Sequence, residues 1–452
     1  MDHTELLHLL NDLIKYGTSH GANEIDAYAV VSSEISVELE MGEIKSANEL
    51  IDSGISIRAI IGKKVGTSFT SRFDKQSAYN AVDLAIKSAK SSTENTHWAG
   101  LPQSREVSKI EGLWNPKFES VPVERYVEMT SELAKSIIDK DNSIIVGGAG
   151  TGVSTQTVAF ANSNDIALSG KGGIVYSYAV GVSRTKHGMT PGIFDVDITR
   201  DPDAIDLEKI SQTVVKDIRL AKNVLQGESG HPDIIIAPRA LGILFMFTIF
   251  PMLYGENVLR GKSPLKEQVG KKIASDIFNL YDDGINPKGI GTRPFDGEGI
   301  PQQKTPLIRD GVLQQFIWTD YWAKQANEES TGNANRDIRT GLISTKMTNP
   351  TIEVGDSTLE DMISGIKYGY LVKGFQGAHS SNPESGDFSV VCNPVFLIED
   401  GEVKGSVFGL MMADNVFNIL KNTVEIENKH TYDLTIIAPH IKVEGLNIIA
   451  KS

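Results

Sequence analysis

Cysteine is almost absent from this sequence, because Cys392 is the single one among 452 residues. A lone thiol cannot form an internal disulfide, and it excludes a structural zinc site built on several thiolates. The composition therefore favours a protein of a reducing compartment.

An excess of positive charge is also missing. The chain carries 44 lysines and arginines against 58 aspartates and glutamates, for a formal net charge of −14. Binding to nucleic acid needs clustered cations that release counterions from the phosphates. The charge balance therefore opposes direct nucleic-acid binding and favours peptides or small molecules as ligands.

The sequence lacks any run of about eighteen apolar residues, the length that a membrane-spanning helix requires. Its opening, MDHTE, does not have the basic and then apolar layout of a signal peptide. We therefore expect a cytoplasmic protein with no membrane partner.

The hydrophobic fraction, 40%, is sufficient to fill the cores of two or three domains. The patterns predict an α+β fold, in which an N-terminal helix-and-sheet half is followed by a β-rich C-terminal half. The predicted divisions are an N-terminal α/β region at 1–120, a middle region of β-meander and helices at 121–228, and a β-rich C-terminal domain at 229–452.

Helical spacing of apolar residues and β-branched runs bounded by turn residues predict the individual elements. The predicted helices of the first half cover residues 4–20, 75–90, 124–138 and 207–224. The predicted strands cover residues 27–31, 35–39, 54–61 and 233–237, an antiparallel meander at 144–182, and closing strands at 434–437 and 446–450.

Glycines are dense at the start of the meander, at Gly147, Gly148, Gly150 and Gly152. A phosphate-binding loop would require a Lys-Ser or Lys-Thr pair followed by a helix, and neither is present. The segment is therefore interpreted as strand.

Farther along, residues 241–254 are so uniformly apolar that they predict a helix buried on several sides, in the chain's own core or against a partner subunit.

The most informative stretch is PFDGEGIPQQKTPLIRDGVLQQFIWTDYWAKQ, residues 294–325. Its two Asp-Gly pairs reach positive φ at low cost, and Asp310-Gly311 lies between apolar dipeptides, as a hairpin turn should. Together with GENVLRGKS at 255–263 and ESTGNA at 329–334, the stretch resembles the TldD/TldE (PmbA) family of two-subunit metallopeptidases.

The resemblance implies a zinc motif, His-Glu-x-x-x-His, on the helix after the first strand of the C-terminal half. The matching residues are Phe245 to Phe250, FMFTIF, which offer zinc no imidazole. The family's zinc also takes a cysteine near the C-terminus, where this chain has TYDLTIIAPHIKVEGL. The resemblance therefore implies the TldE (PmbA) side of the family, which lacks the zinc site.

This side of the family implies a non-zinc subunit of a cytosolic TldD-TldE metallopeptidase that contributes to peptide binding and proteolysis. No cofactor is expected in this chain, and zinc is expected only in a TldD-like partner. The partner is then a homologous TldD-like subunit in a heterodimer, or a second copy in a homodimer. The alternative is a stand-alone homodimeric peptide-binding or regulatory protein without catalysis.

The resemblance also places the loop around Asp296 beside the family's catalytic cleft, which makes Asp296, Glu298 and Lys304 candidates for shaping a peptide groove. Tyr321 and Asn333 are further candidates for lining a surface for substrate or partner. The residues alone also allow a simpler interpretation, in which the two carboxylates shape a turn and the aromatic residue fills a core. No catalytic residue is assigned.

Independent hydrolysis would need a nucleophile and a base. Cys392 or Ser389 with His379 is the possible pair, although the apolar run around Cys392 is typical of a buried and unreactive thiol. Three further histidines, His231, His430 and His440, are scattered along the chain and do not form a metal-binding motif.

Overall fold

The computed structural model describes residues 3–107 and 109–451. It confirms the α+β class, because helices flank a large sheet in the first half and strands dominate the second. The helices and strands of the first half are α1 His3–Ser19, β1 Glu24–Glu40, β2 Glu43–Ile61, β3 Lys64–Thr70, α2 Lys75–Ser91, α3 Val123–Lys140, β4 Ile144–Asn162, β5 Ala167–Thr185, β6 Gly188–Met189, β7 Ile193–Thr199, α4 Leu207–Ala221 and β8 Val224–Leu225.

The second half begins with a strand and a group of short helices. Its helices are α5 Pro238–Met246, α6 Ile249–Met252, α7 Gly255–Leu259, α8 Asp320–Ala326, α9 Leu359–Ser364 and α10 Val416–Lys421. Its strands are β9 Asp233–Ile236, β10 Leu280–Asp283, β11 Lys304–Arg309, β12 Val312–Leu313, β13 Ala334–Arg336, β14 Ile343–Thr345, β15 Pro350–Ile352, β16 Tyr368–Val372, β17 Phe375–Gln376, β18 Asp387–Cys392, β19 Val395–Glu399, β20 Glu402–Val407, β21 Leu410–Asn415, β22 Thr423–Ile426, β23 Thr431–Tyr432, β24 Ile437–Ala438, β25 Ile441–Val443 and β26 Ile448–Ala450.

The first half is built on one antiparallel sheet of long strands in the order β3-β2-β1-β4-β5-β6, with β7 also paired to β5. Helices α1 and α2 bury their apolar faces in one core of this sheet, and α3 and α4 in another. Strands β1 and β4 share the sheet although they lie on either side of residue 120. The division of the chain at 120 and 228 stays a prediction.

Two strand predictions are corrected by this sheet. The separate strands predicted at 27–31 and 35–39 are one strand, because β1 pairs along its whole length with β2 and β4 and thereby satisfies the backbone of its polar centre. The predicted meander is one hairpin of two 19-residue strands. Its glycines lie inside β4, where a Cβ at Gly150 would stand 2.6 Å from the ring of Tyr178.

The second half contains three larger sheets. Their orders are β12-β11-β10-β15-β24-β23, β22-β25-β9-β16-β19-β20-β8 and β17-β18-β21-β26. The hairpin predicted at Asp310-Gly311 is confirmed, since both residues have positive φ between β11 and β12. None of the helices formed by the described residues combines the length and the apolar character needed to cross a membrane.

The apolar helix predicted at 241–254 is interrupted. Helix α5 ends at Met246, Thr248 leaves the helical region, and α6 contains Pro251. A proline there cannot donate to the carbonyl of Phe247, so one continuous helix would lose a hydrogen bond and gain a clash. Most of the segment is buried in the chain's own core, whereas the Met246 side chain is 42% exposed.

Candidate functional site

Asp296 fixes the loop between β10 and β11. Its Oδ1 accepts hydrogen bonds from the backbone N–H groups of Glu298, at 2.9 Å, and Ile300, at 3.0 Å. Its Oδ2 accepts one from the N–H of Ala334, also at 2.9 Å, which attaches the loop to β13. Burial and the nearby Glu298 carboxylate raise the pKa of Asp296 to about 7, although these hydrogen-bond donors act to lower it.

Glu298 belongs to a buried charge network that joins the two halves of the chain. Asp26 of β1 accepts a hydrogen bond from Nε of Arg58 of β2 at 2.9 Å and from Nη1 of Arg336 of β13 at 2.8 Å. Glu298 lies 3.4 Å from Arg58 and also accepts the N–H of Asp320, the first residue of α8. All five residues are buried.

The pKa values in this network follow the balance between burial and paired charge. Burial acts to raise the pKa of the Asp26 carboxyl, but the guanidinium groups of Arg336 and Arg58 outweigh it and hold that pKa below its usual value. For Glu298 burial prevails over its more distant cation, and its pKa is raised. Asp26 is therefore the ionised centre of the network.

Asn333 organises a second buried carboxylate beside this loop. Its Nδ2 donates to Asp282 Oδ2 at 2.6 Å and to the carbonyl of Lys346 at 3.1 Å. Asp282 also accepts the N–H groups of Thr348 and Asn349. Burial raises the pKa of Asp282 to about 6, against the effect of these donors.

A cleft of about 430 Å³ opens in front of Asp296 and Asn333. One wall comes from the end of α5 and from α6, where Met246 and Phe250 face the space, and another comes from Leu434 and Thr435. Its remaining lining residues are Tyr254, Ile290, Gly291, Arg293, Gln302, Ala334, Asn335, Lys346, Met347, Thr348 and Pro350.

The cleft therefore lies where the resemblance implies zinc. Met246 and Phe250 occupy the glutamate and second histidine positions of the motif, and the cleft also touches the terminal stretch in which the resemblance implies a cysteine. A thioether and a phenyl ring do not supply the imidazole or carboxylate ligands of a zinc site. Among the described residues no group of three or more His, Cys, Asp or Glu is placed to hold a metal ion. The described residues that line this cleft therefore do not fit zinc.

The structure brings two of the five predicted groove residues, Asp296 and Asn333, to the cleft lining. Glu298 lies behind it in the charge network. Lys304 instead places its Nζ 3.8 Å from the centre of the Tyr281 ring. Tyr321 hydrogen-bonds through its hydroxyl to Asn95 at 3.1 Å, because α8 packs against the connection that follows α2.

The nucleophile and base pair suggested by the sequence is not assembled. Cys392 is 2% exposed, and burial raises the pKa of its thiol to about 12. Ser389 and His379 are both exposed, and no hydrogen bond links His379 to Cys392 or Ser389 in the described part of the chain. His430 contacts the carbonyl of Ile352 and His440 pairs with Glu427, so neither contributes to the cleft.

The charge network is the feature that sequence reasoning missed. Asp26 lies in IDAYAVV of β1 and Arg58 lies in ISIRAII of β2, two largely apolar runs. A charged residue in a buried strand position requires a partner, and that signal was available in the sequence. The partner Arg336 is 310 residues away from Asp26, and no local pattern indicates it.

The raised pKa of Asp296 predicts a pH dependence. Its folded value lies above the 3.8 of an exposed aspartate, so the protonated form stabilises the fold fully below about pH 4, and this contribution is lost as the pH rises towards 7. We expect the stability advantage of the wild type over Asp296→Asn to shrink by about 1 kcal/mol or more between pH 5 and pH 8. Urea unfolding at both pH values measures it, with Asp310→Asn at an exposed turn as the control. An advantage that grows with pH would contradict the prediction.

Comparisons with known proteins show the family to which this chain is similar. Residues 229–450 match the PmbA/TldA metallopeptidase C-terminal domain, and residues 25–89 match PmbA/TldA metallopeptidase domain 1. The crystal structure of TldE from Thermococcus kodakarensis is 36% identical, with a TM-score of 0.93, and the match covers 97% of this chain and 99% of that one.

Curated relatives extend over similar lengths. A metalloprotease TldD homolog of Buchnera aphidicola is 25% identical over 95% of this chain and 89% of its own length. A metalloprotease PmbA homolog of Haemophilus influenzae is 23% identical over 98% and 96%, respectively. From the domain matches and the identity to TldE over nearly the full length, we conclude that the chain belongs to the TldD/TldE (PmbA) family.

Proposed function

We propose that this chain is the non-zinc subunit of a cytosolic two-subunit metallopeptidase, in which a homologous TldD-like subunit supplies the zinc. The observation that carries the proposal is a cleft beside the residues that the resemblance matches to the zinc motif. The cleft is lined by Met246 and Phe250, which the resemblance matches to the glutamate and the second histidine of that motif. Such a site cannot activate water, but it can hold part of a peptide.

The composition of the cleft supports peptide binding. Its volume lies within the range of about 300–1,000 Å³ that is common for small-molecule sites. Apolar side chains from α5, α6 and the terminal stretch line it together with polar groups on β13 and the loop that Asp296 fixes. An apolar side chain and a peptide backbone would find complementary surfaces there.

Under this proposal, this chain binds and orients the peptide, and the partner performs the hydrolysis. Asp296 and Asn333 hold the polar wall in place, because their side chains are occupied by hydrogen bonds to the protein. Met246 and Phe250 supply the apolar wall. No proton transfer is assigned to this chain.

A bulky substitution in the cleft tests the proposal. Met246→Trp should fill the apolar side of the cleft and lower peptide cleavage by the mixed enzyme about tenfold or more, without preventing assembly with the cognate TldD-like protein. Met189→Trp is the matched control, because Met189 of β6 is 44% exposed and outside the cleft. The readouts are co-purification and cleavage of an unstructured peptide.

Two outcomes would count against the proposal. One is that the chain neither associates with the TldD-like protein nor changes its peptidase activity. The other is a Met246→Trp variant that assembles and supports cleavage as well as Met189→Trp. Tight self-association with peptide binding, in the absence of any partner effect, would instead favour a stand-alone homodimeric binding protein.

A further inference from the structure

Two cavities meet at one arginine. The cleft described above and a second cavity of about 210 Å³ both include Arg293 and Ile290 in their lining. The second cavity, here called the sheet-side cavity, lies against β4 and β5 and is also lined by Lys171 and Arg200. Arg293 therefore stands at the wall that the two spaces share.

The charge around this wall is positive, although the Nζ of Lys171 lies 3.9 Å from Glu119. Arg200 donates to the backbone carbonyls of Pro287, Gly289 and Gly173, and no carboxylate is within ion-pair distance of it in the described residues. Burial and the positive charge of Arg293 lower the pKa of Arg200 to about 10. Arg200 and Arg293 both line the sheet-side cavity, where an anion would offset their positive charge.

Arg293 is available to bind such an anion. Its side chain is exposed and interacts with the hydroxyl of Tyr28, and it makes no ion pair with any described carboxylate. Lys346, on the cleft rim, is also exposed and likewise without an ion pair among the described residues. In contrast, the nearby Arg336 donates hydrogen bonds to Asp26 and to Ser56.

The negative charge inside the cleft is small by comparison. Asp296 is the acidic residue of its lining, and both of its oxygens are engaged by backbone N–H groups. The cleft also carries exposed apolar surface, since its lining residues Met246 and Leu434 are 42% and 47% exposed. The pair of cavities thus presents a cationic side and an apolar side to one ligand.

We propose that Arg293 receives the C-terminal carboxylate of a bound peptide, whose last side chain is apolar and occupies the cleft beside Met246 and Leu434. The assignment rests on the proposed function as a peptide-binding subunit and specifies which part of the peptide this chain holds. A guanidinium binds a carboxylate through two parallel hydrogen bonds, a geometry that a lysine cannot reproduce. Lys346 adds charge at the rim.

Peptide pairs that differ at the terminus test the proposal. The probe is the fluorescently labelled hexapeptide GGSGAL, prepared as the free acid and as the C-terminal amide, and titrated with the purified full chain. We expect the acid to bind at least about tenfold more tightly than the amide. A third peptide, an amide whose last residue is glutamate, shows whether a side-chain carboxylate is accepted in place of the terminal one.

Single substitutions show which residue gives the preference for the free acid over the amide. Arg293→Gln should bring the acid-to-amide affinity ratio close to one, whereas Arg293→Lys should retain part of it. Arg309→Gln is the matched control, because Arg309 is exposed on β11 and outside both cavities. Lys346→Gln should weaken binding of the acid without removing the preference, since its charge is at the rim. Unchanged urea midpoints show that the variants are folded.

The outcomes separate this inference from the function on which it rests. Equal binding of acid and amide by the wild type, or a preference that survives in Arg293→Gln, overturns the carboxylate assignment and leaves peptide binding intact. Equal binding of the glutamate amide and the free acid would show that a side-chain carboxylate is accepted equally well, and it overturns the assignment to the C-terminal carboxylate. If no peptide binds to the chain and Met246→Trp has no effect in the mixed enzyme, both the inference and the proposed function fail.

Discussion

Replacing Asp26 with asparagine is expected to lower the free energy of unfolding by about 3–5 kcal/mol. The Asp26 carboxylate is completely buried and is the negative partner of both Arg58 and Arg336. Asparagine keeps the size but loses the charge, and its amide N–H₂ would face a guanidinium. Arg58 would then keep Glu298, at 3.4 Å, as a carboxylate partner. Arg336 would lose the carboxylate with which it is paired.

A matched control is available in the same region. Asp52 on β2 pairs with Arg339 at 2.6 Å, three residues beyond Arg336, but both side chains are about half exposed. Solvent-exposed ion pairs contribute about 0–1 kcal/mol, so Asp52→Asn should change stability little. Urea unfolding, followed by fluorescence and circular dichroism, measures both variants. A loss for Asp26→Asn no larger than that for Asp52→Asn would show that the network does not hold the two halves together.

Replacing Asn333 with alanine is expected to cost about 1–3 kcal/mol of stability and to weaken peptide binding. The substitution removes a donor from the buried Asp282 carboxylate and leaves the carbonyl of Lys346 without that partner. Because Lys346 and Thr348 line the cleft beside Asn333, the polar wall should shift when this side chain is lost. The affinity for the free-acid hexapeptide should fall by about tenfold.

Asn335, two residues farther along the chain on β13, provides the comparison for Asn333. Its side chain is exposed, and among the described residues its amide makes only a long contact, 3.5 Å, to Ser344. Asn335→Ala should therefore change the unfolding free energy by less than about 0.5 kcal/mol. Equal effects of the two substitutions on stability and affinity would contradict the structural role given to Asn333.

The sequence predicts well those elements whose signals are local. The helix predicted at 75–90 is α2, Lys75–Ser91, because its apolar spacing is regular and Asp74 caps its first turn. The Asp310-Gly311 turn has the residue types that positive φ requires. In contrast, the breadth of the first sheet depends on pairing between β1 and β4, which are far apart in the chain. The alternation of apolar and polar residues indicates a strand but does not identify the strand with which it pairs.

Part of the candidate site could also be predicted, because two of its residues lie in recognisable blocks of the sequence. Asp296 and Asn333 lie in blocks that resemble known relatives, and both reach the cleft. Lys304 and Tyr321 lie in the same continuous stretch but point elsewhere, since a strand alternates its faces and α8 rotates the aromatic residue towards Asn95. Nothing local identifies the shared cavity wall at Arg293, which forms only when the loop packs against β4 and β5.

Zinc analysis, combined with a peptide-cleavage assay, tests the central claim most directly. The purified chain is measured alone, and again after assembly with its cognate TldD-like protein. We predict that the chain alone contains no stoichiometric zinc and cleaves no peptide, and that zinc and activity appear together in the assembly. Stoichiometric zinc with cleavage by the chain alone would contradict this account.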